Sequence, residues 1–132
     1  MRLLLLGCTG LVGRELVPQL LAAGHMLTVV SRQQRQLAGV TCLQADPSHP
    51  EVWAAGSALQ QALEQAEGVV NLAGEPIAEK RWTPAHLEVL RRSRIDTTRH
   101  LVAAINASAT PPQVLVSASA VGFYGTSETA SF

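Results

Sequence analysis

Residues 7–13 read Gly-Cys-Thr-Gly-Leu-Val-Gly and stand between a short apolar run, Met1–Leu6, and a leucine-rich segment with helical spacing. An apolar run of this length is typical of a strand that is buried on both faces of a parallel sheet. Glycines directly after such a strand permit a tight turn and let backbone amides approach a pyrophosphate at the N-terminus of the next helix. This order predicts an α/β dinucleotide-binding domain; the alternative is a tight turn that holds no ligand.

The glycine spacing in this loop is G-x-x-G-x-x-G, which differs from the G-x-G-x-x-G of many dehydrogenases. The unpaired amides and partial positive charge of the helix N-terminus are expected to hold the phosphates of the cofactor. The residues of the loop that we expect to contact the cofactor are Gly7, Thr9, Gly10, Leu11, Val12 and Gly13.

Apolar runs alternate with helical patterns along the rest of the chain. Strands are expected near residues 26–30, 40–43, 68–72 and 114–117, and helices over 11–23, 48–66 and 84–107. Ser48 and Glu51 have the spacing of a capping box at the start of the second helix, and Gly56-Ser57 is a point where that helix is expected to break. The leucines expected to share one face of the first helix are Leu11, Leu16, Leu20 and Leu21.

This alternation predicts a parallel sheet with right-handed crossovers and helices on both faces. With the glycine loop after the first strand, it indicates a Rossmann-type doubly wound sheet of three α/β/α layers, with strand order 3-2-1-4-5. We expect residues 1–132 to form one such NAD(P)-binding domain, truncated so that a C-terminal substrate-binding part is absent. The ligand crevice should lie at the carboxyl ends of strands 1 and 4, where the strand order reverses.

The ends of the second and third strands bear on the choice of dinucleotide. NAD-binding domains of this type usually place Asp or Glu at the end of the second strand, where its carboxylate holds the ribose hydroxyls. This chain has Ser31-Arg32, with Arg35 nearby. A hydroxyl and a guanidinium suit a 2′-phosphate, so NADP is expected to be preferred over NAD; the alternative is that both arginines are solvated loop charges. Asp46 is expected either to touch the adenine ring or to cap the turn at Pro47.

The composition excludes several classes of partner. Apolar residues make up 47% and charged residues 15% of the 132 residues, which suffices for a core and argues against disorder. Ten basic and ten acidic side chains cancel and aromatic residues are only 4%, so we expect no nucleic-acid partner and no membrane surface. No apolar run approaches the roughly 18 residues of a membrane span.

The cysteines and histidines show no ligand pattern. Cys8 and Cys42 lie far apart without a C-x-x-C, which fits a reducing compartment, and we expect a cytoplasmic protein. The four histidines lack metal-ligand spacing, so no metal site is expected. Arg2 and the leucines before Cys8 also resemble a lipoprotein signal, but their apolar run is shorter than the roughly 7–15 residues that such signals carry.

Four segments carry a family resemblance: residues 7–13, Ser31-Arg32, Asn71-Leu72-Ala73-Gly74 and residues 117–125, Ser-Ala-Ser-Ala-Val-Gly-Phe-Tyr-Gly. Together they resemble the extended, epimerase-like short-chain dehydrogenase/reductases. The run from Asn71 to Trp82, followed by Ser93-Arg94-Ile95, is most similar to an atypical branch of epimerase family proteins, sometimes labelled cell-division-inhibitor-like. The resemblance covers nearly the whole chain and implies cofactor binding more directly than a named reaction.

The resemblance implies roles for residues on the nicotinamide side of the site. It places Leu72, Ala73 and Gly74 against the ribose and phosphates of that side. It points Arg94 at the cofactor, assigns Ser117 to the cofactor site and gives Ser119 the orientation of the substrate. Three alternatives stay open: Asn71 only ties neighbouring strands together, Arg94 forms a surface ion pair, and the two serines are ordinary strand-end residues.

The chain departs from the superfamily in its catalytic pair, Tyr-x-x-x-Lys, whose lysine lowers the pKa of the tyrosine that acts as acid and base. The single tyrosine is Tyr124, the residue four positions later is Glu128, and the single lysine is Lys80. Ser119 and Tyr124 are therefore the catalytic candidates, and Tyr124 lacks its lysine partner. We expect no appreciable hydride transfer from this chain alone.

Two functions follow from these observations. In the first, the chain is the NADP(H)-binding part of an oxidoreductase or epimerase-like enzyme with an unknown small-molecule substrate. In the second, it belongs to a non-catalytic cofactor-binding protein, such as a redox sensor or a cell-division-associated partner. In either case the uncharged fifth strand, Val114–Ser117, is expected to be an exposed sheet edge, and self-association is expected through it or through the long helix.

Overall fold

A parallel sheet forms the centre of the molecule. The computed structural model describes residues 1–119. The strands are β1 (Arg2–Leu6), β2 (Met26–Ser31), β3 (Val40–Gln44), β4 (Gly68–Asn71) and β5 (Val114–Ser117). All neighbouring pairs are parallel and follow the order β3-β2-β1-β4-β5, which confirms the predicted topology. The strand order reverses between β1 and β4, and a ligand crevice is expected outside their carboxyl ends.

Helices cover both faces of this sheet. They are α1 (Leu11–Ala22), a 3-10 turn (Pro50–Trp53), α2 (Ala58–Gln65) and α3 (Pro84–Ala107). Successive residues of β1 point to opposite faces. Leu5 belongs to the core cluster that includes Val17 of α1, whereas Leu4 belongs to the cluster that includes Leu63 of α2 and Leu101 of α3. The three α/β/α layers are therefore confirmed, and β1 is apolar from Leu3 to Leu6 because both of its faces are covered there.

Helix α1 buries fewer leucines than their spacing predicts. Its buried residues are Gly13 and Val17, whereas Leu11 is 85% exposed. Leu11 opens the helix beyond the end of β1, so it lies over the crevice rather than over the sheet. The expected placement of Leu11 on the apolar face of this helix was wrong. Pro18 is accommodated inside the helix.

The segment between β3 and β4 differs from its prediction at its start. The capping box at Ser48 and Glu51 was wrong, because Ser48 donates its hydroxyl to Asp46 Oδ1 at 2.7 Å and no side chain caps the 3-10 turn that follows. The N-cap residue of that turn is His49, one position after Ser48, so Ser48 is not placed to accept from the first amides of the turn. The break at Gly56-Ser57 is confirmed: Ser57 Oγ accepts a hydrogen bond from the backbone N–H of Gln60 and begins α2.

Two glycines of the first loop are required by close backbone contacts. Gly7 has a φ of +73°, and a Cβ there would lie 2.5 Å from backbone atoms of Leu72 and Ala73. At Gly13 a Cβ would collide with the carbonyl group of Cys8. The first contact lets the loop after β1 touch the loop after β4, and the second lets α1 pack directly on the end of β1.

We predict that Gly13→Ala lowers the free energy of unfolding by about 2 kcal/mol, because the added methyl group meets backbone that has no rotamer to change. Gly10→Ala is the matched control, since a Cβ there meets only the carbonyl oxygen of Gly7, at 3.8 Å. Its cost should stay near the roughly 1 kcal/mol of an altered N-cap. Urea unfolding followed by circular dichroism measures both, and an unchanged midpoint for Gly13→Ala would contradict the prediction.

Strand β5 is an edge of the sheet within residues 1–119. Val114, Leu115 and Val116 are 44%, 38% and 54% exposed, and none of them carries a charge to discourage pairing. No helix of the same residues combines the length and the apolar character needed to cross a membrane. Self-association through this edge stays a prediction.

We expect sedimentation velocity to show an oligomer at high protein concentration, and Val116→Lys to shift it toward monomer, because a lysine on an edge strand blocks strand pairing. Ala55→Lys adds the same charge at an exposed position away from β5 and should leave the distribution unchanged. A strictly monomeric profile of the unaltered chain at every concentration would refute the prediction.

Candidate functional site

A crevice of about 640 Å³ lies at the carboxyl ends of β1 and β4, a size within the usual range of small-molecule sites. The glycine loop and the segments after β2, β3 and β4 enclose it. Nine of the residues expected to contact the cofactor line this crevice: Gly7, Thr9, Gly10, Leu11, Ser31, Arg32, Asp46, Ala73 and Gly74. The structure therefore brings together in one cavity residues that come from four separate segments of the chain.

The floor of the crevice is the N-terminus of α1. Gly10 is its N-cap residue, no side chain caps it, and its first turn contains no acidic residue. The first backbone amides of a helix have no partners within the helix and carry partial positive charge. The space over Gly10 is open, because a Cβ there would meet only one atom within 4 Å, the carbonyl oxygen of Gly7. A phosphate group fits this arrangement of donors and free space.

Five residues expected in the cofactor site lie outside the lining of the crevice: Val12, Gly13, Leu72, Arg94 and Ser117. Val12 is exposed on α1, and Gly13 serves the packing of that helix on Cys8. Leu72 packs against the core beneath α1. Each of these three residues adjoins a lining residue in the sequence without itself lining the crevice.

Asn71 ties β4 to its neighbours, as one of the alternatives held. Its Nδ2 donates to Thr98 Oγ1 at 3.1 Å and to Ser117 Oγ at 3.3 Å, and its Oδ1 accepts from the backbone N–H of Ala73 at 3.2 Å. The residue is only 4% exposed. Ser117 accepts this bond through its Oγ and does not line the crevice.

Arg94 fixes the loop after β4. Its Nη2 donates to the carbonyl oxygen of Glu75 at 3.0 Å and its Nη1 to that of Leu90 at 3.3 Å. A Cβ at Gly74 would lie 3.1 Å from the guanidinium carbon, so glycine at that position gives Arg94 its room. Among residues 1–119 no carboxylate pairs with Arg94. The surface ion pair considered for it is not what the structure has.

Asp46 caps its turn and also lines the crevice. Its Oδ1 accepts from the backbone N–H of Ser48 at 3.0 Å and from the hydroxyl of the same residue. Partial burial raises the pKa of this carboxyl, but the hydrogen bonds from Ser48 and the nearby charges of His49 and Arg32 outweigh it and hold the pKa below its ordinary value. A charged carboxylate at neutral pH therefore stands beside the position expected for adenine.

The sequence analysis missed the residue that pairs with Arg32. Glu75 Oε2 accepts from Arg32 Nη2 at 2.9 Å, and Lys80 Nζ lies 3.5 Å from Glu75 Oε1. The side chain of Glu75 is 9% exposed, whereas that of Arg32 is 57% exposed. Burial raises the pKa of Glu75, but the hydrogen bond and charge of Arg32, followed by the charge of Lys80, keep it below its ordinary value. Arg32 is therefore paired with a carboxylate, although more than half of its side chain is exposed.

Glu75 directly follows Gly74 in the family-like segment, and the resemblance gives it no role. A single buried acid in a loop carries no periodic signal, so only its contact with Arg32 in the folded chain reveals it. Other charged or polar residues that line the crevice and were not expected there are Arg14, Ser48, His49, Glu79, Arg92, Ser93 and Thr97. They come from the first turn of α1, from the loops after β3 and β4 and from α3.

Of the two catalytic candidates, Ser119 and Tyr124, the structure describes only Ser119. Ser119 is exposed just beyond β5 and does not line the crevice. Tyr124 lies outside the described residues. Within residues 1–119 no cluster of three or more His, Cys, Asp or Glu side chains is placed to hold a metal ion.

The fold and the crevice define a Rossmann-type α/β domain with its site at the reversal of strand order. The model of the NAD dependent epimerase/dehydratase family matches residues 3–131, and the chain belongs to that family. The Arabidopsis thaliana protein named epimerase family protein SDR39U1 homolog, chloroplastic, is 40% identical over 128 residues, which are 96% of this chain and 36% of the relative. Epimerase family protein YfhF of Bacillus subtilis is 33% identical over 127 residues, 96% of this chain and 40% of the relative.

Solved structures give the same assignment. The crystal structure of human epimerase family protein SDR39U1 (isoform 2) with NADPH superposes with a TM-score of 0.77 at 33% identity, over 98% of this chain and 40% of the human one. MoeE5 in complex with UDP-glucose and NAD gives a TM-score of 0.75 at 21% identity, which supports the fold alone. The chain spans about two fifths of the length of these relatives.

Cys8, within the glycine loop, should be chemically inert. It is 2% exposed, and burial raises the pKa of its thiol to about 11. At neutral pH it is therefore a thiol rather than the reactive thiolate. We predict that iodoacetamide modifies Cys42 first in the native protein and Cys8 only after unfolding, as read by mass spectrometry of the digested chain. Cys42→Ser is the control, and fast labelling of Cys8 in that folded variant would contradict the prediction.

Proposed function

We propose that this chain is the cofactor-binding part of an epimerase-like oxidoreductase and that it binds NADP(H) in preference to NAD(H). The observation that carries the proposal is Arg32 in the lining of the crevice at the end of β2. An acidic residue at this place would hold the 2′-hydroxyl of NAD and repel a 2′-phosphate. A guanidinium beside the hydroxyl of Ser31 instead offers several donors to a 2′-phosphate.

The remaining residues of the crevice fit the rest of the dinucleotide. The amides of Leu11 and its neighbours at the start of α1 would hold the pyrophosphate over Gly10. Asp46 stands on the adenosine side, where its carboxylate would accept from the adenine amino group. Ala73 and Gly74, after β4, would line the nicotinamide side. Val12, Gly13, Leu72, Arg94 and Ser117 would act through the packing and hydrogen bonds that hold these loops in place.

The relatives support the choice of cofactor to different degrees. The human family member that was solved with NADPH is 33% identical to this chain over almost its whole length. The uronate dehydrogenase variant of Agrobacterium tumefaciens complexed with NAD is 24% identical, so its cofactor carries little weight here. NADP preference therefore rests on Arg32 and on the human relative together.

The bound nicotinamide would supply hydride transfer to or from a small-molecule substrate. The relatives are longer than this chain, and we place the substrate-binding part in the length that they have in addition. Ser119 at the end of β5 would orient the substrate, and Tyr124 is the candidate acid and base. The cell-division-associated alternative and a cytoplasmic location stay predictions, and one relative is named as chloroplastic.

We predict that isothermal titration calorimetry gives a lower Kd for NADP⁺ than for NAD⁺. Arg32→Ala should weaken NADP⁺ binding by about tenfold or more, since charge-assisted hydrogen bonds to a phosphate are worth roughly 1.5–3 kcal/mol. NAD⁺ binding should change by no more than about twofold, because NAD⁺ has no group that needs the guanidinium.

Arg35→Ala is the matched control for this experiment. Arg35 lies three residues further along the same loop, is exposed and does not line the crevice. Its replacement removes the same charge and should leave both affinities almost unchanged. Equal affinities of the unaltered chain for NADP⁺ and NAD⁺ would count decisively against the proposal.

A further inference from the structure

We propose that Glu75 and the 2′-phosphate of NADP compete for the guanidinium of Arg32, and that Lys80 retains Glu75 when the phosphate takes Arg32. The inference rests on the proposed NADP site and adds a residue that sets the strength of its 2′-phosphate preference. The observation behind it is a three-residue ion-pair cluster, Arg32, Glu75 and Lys80, at the mouth of the crevice.

Glu75 is the fixed member of this cluster. Its backbone N–H donates to Ser93 Oγ at 2.9 Å and its carbonyl oxygen accepts from Arg94 Nη2 at 3.0 Å, so two residues of α3 hold it from both sides of the peptide. Arg32 is held by one bond to a single carboxylate oxygen, and its side chain is more than half exposed. Of the two partners, Arg32 is the one that is free to move.

The charges make simultaneous binding of both anions unfavourable. The pKa of Glu75 lies below its ordinary value, so the group is charged at neutral pH. A phosphate on the same guanidinium would stand next to this carboxylate, and like charges at such a distance repel. A phosphate that binds the guanidinium of Arg32 therefore breaks the bond between Arg32 and Glu75.

Lys80 keeps the buried carboxylate of Glu75 paired with a cation during this exchange. A carboxylate that loses its partner inside a protein is strongly destabilised. Lys80 Nζ already faces the other oxygen of Glu75, Oε1, at 3.5 Å. When Arg32 leaves, Glu75 keeps a cation beside it, and the crevice does not acquire an unpaired buried charge.

A different role for Glu75 predicts the opposite sign. If Glu75 only orients Arg32 for the phosphate, its removal weakens binding. If the two anions compete, its removal strengthens binding. The sign of the change in affinity therefore separates competition from positioning.

The probes are adenosine 2′,5′-bisphosphate and 5′-AMP, which differ only in the 2′-phosphate, measured by isothermal titration calorimetry on the full chain. Glu75→Gln should bind the bisphosphate about twofold to fivefold more tightly, the range expected for the release of a partly exposed ion pair. Its affinity for 5′-AMP should be unchanged. Glu15→Gln is the charge control, because Glu15 is an exposed residue of α1 outside the crevice lining and no ion pair involves it within residues 1–119.

Lys80→Met should act in the opposite direction and lower the affinity for the bisphosphate about threefold or more. Glu75 then has no second cation beside it and holds Arg32 more strongly. Arg81→Met removes the same charge from the neighbouring residue, outside the crevice lining, and should have no effect. In an Arg32→Gln background, Glu75→Gln should give no gain, since the group for which the anions compete is absent. Thermal unfolding of each variant verifies that it is folded. Glu75→Asp is a second test, and it should change the affinity for the bisphosphate in the same direction as Glu75→Gln but by less.

The outcomes separate this proposal from the proposed function. Unaltered protein that binds the bisphosphate no better than 5′-AMP would overturn the NADP assignment itself. A clear 2′-phosphate preference together with weaker or unchanged bisphosphate binding by Glu75→Gln would leave the NADP site standing and overturn the competition. If Glu75→Gln still raises the affinity for the bisphosphate in the Arg32→Gln background, the competition is also overturned. The gain would then come from the loss of a negative charge and not from the release of Arg32.

Discussion

The contact between the loop after β1 and the loop after β4 is the constraint on which the site depends. Gly7 approaches the backbone of Leu72 and Ala73 so closely that a Cβ would lie 2.5 Å from it. The backbone N–H of Leu72 donates to the carbonyl oxygen of Leu6 at 2.9 Å, which carries the pairing of β1 and β4 to their last residues. A side chain at position 7 would part these loops, and the start of α1 would no longer face Ala73 and Gly74 across one crevice.

The loop after β4 keeps its place through side chains rather than through further strand pairing. Asn71 bonds to Thr98 of α3 and to Ser117 of β5, while Arg94 and Ser93 of α3 hold the peptide groups of Glu75. The residues of α3 that make these bonds are Ser93, Arg94 and Thr98, so the side of the helix toward the loop is polar. The helix supports a polar loop as much as it covers the sheet, and its apolar spacing is correspondingly incomplete.

The strands and their order followed from the sequence because each depends on local patterns. β5, Val114–Ser117, and α3 up to Ala107 lie where the apolar runs and the prolines place them. Seven residues of the crevice were predictable from the glycine loop and from the ends of β2 and β3, and the family resemblance implied two more, Ala73 and Gly74. The capping box at Ser48 was wrong because the 3-10 turn begins one residue later, with His49 as its N-cap residue.

What the sequence does not reveal is which charges are paired across the fold. Arg32 and Glu75 are separated by 43 residues, and no periodicity or spacing in the sequence links the two.

The crevice contains cations from Arg14, Arg32 and Arg92 and carboxylates from Asp46, Glu75 and Glu79, so a count of its charges suggests no preference for an anion. The start of α1 nevertheless offers unpaired amides that no side chain caps, and no acidic residue lies in its first turn. Affinity for phosphate in such a site is decided by which donors are already engaged. In the proposed NADP site the amides at Gly10 are open to the pyrophosphate, whereas the guanidinium of Arg32 would first have to exchange the carboxylate of Glu75 for the 2′-phosphate. The backbone would then recognise the pyrophosphate, and discrimination at the 2′-position would depend on an ion pair between residues 43 positions apart in the sequence.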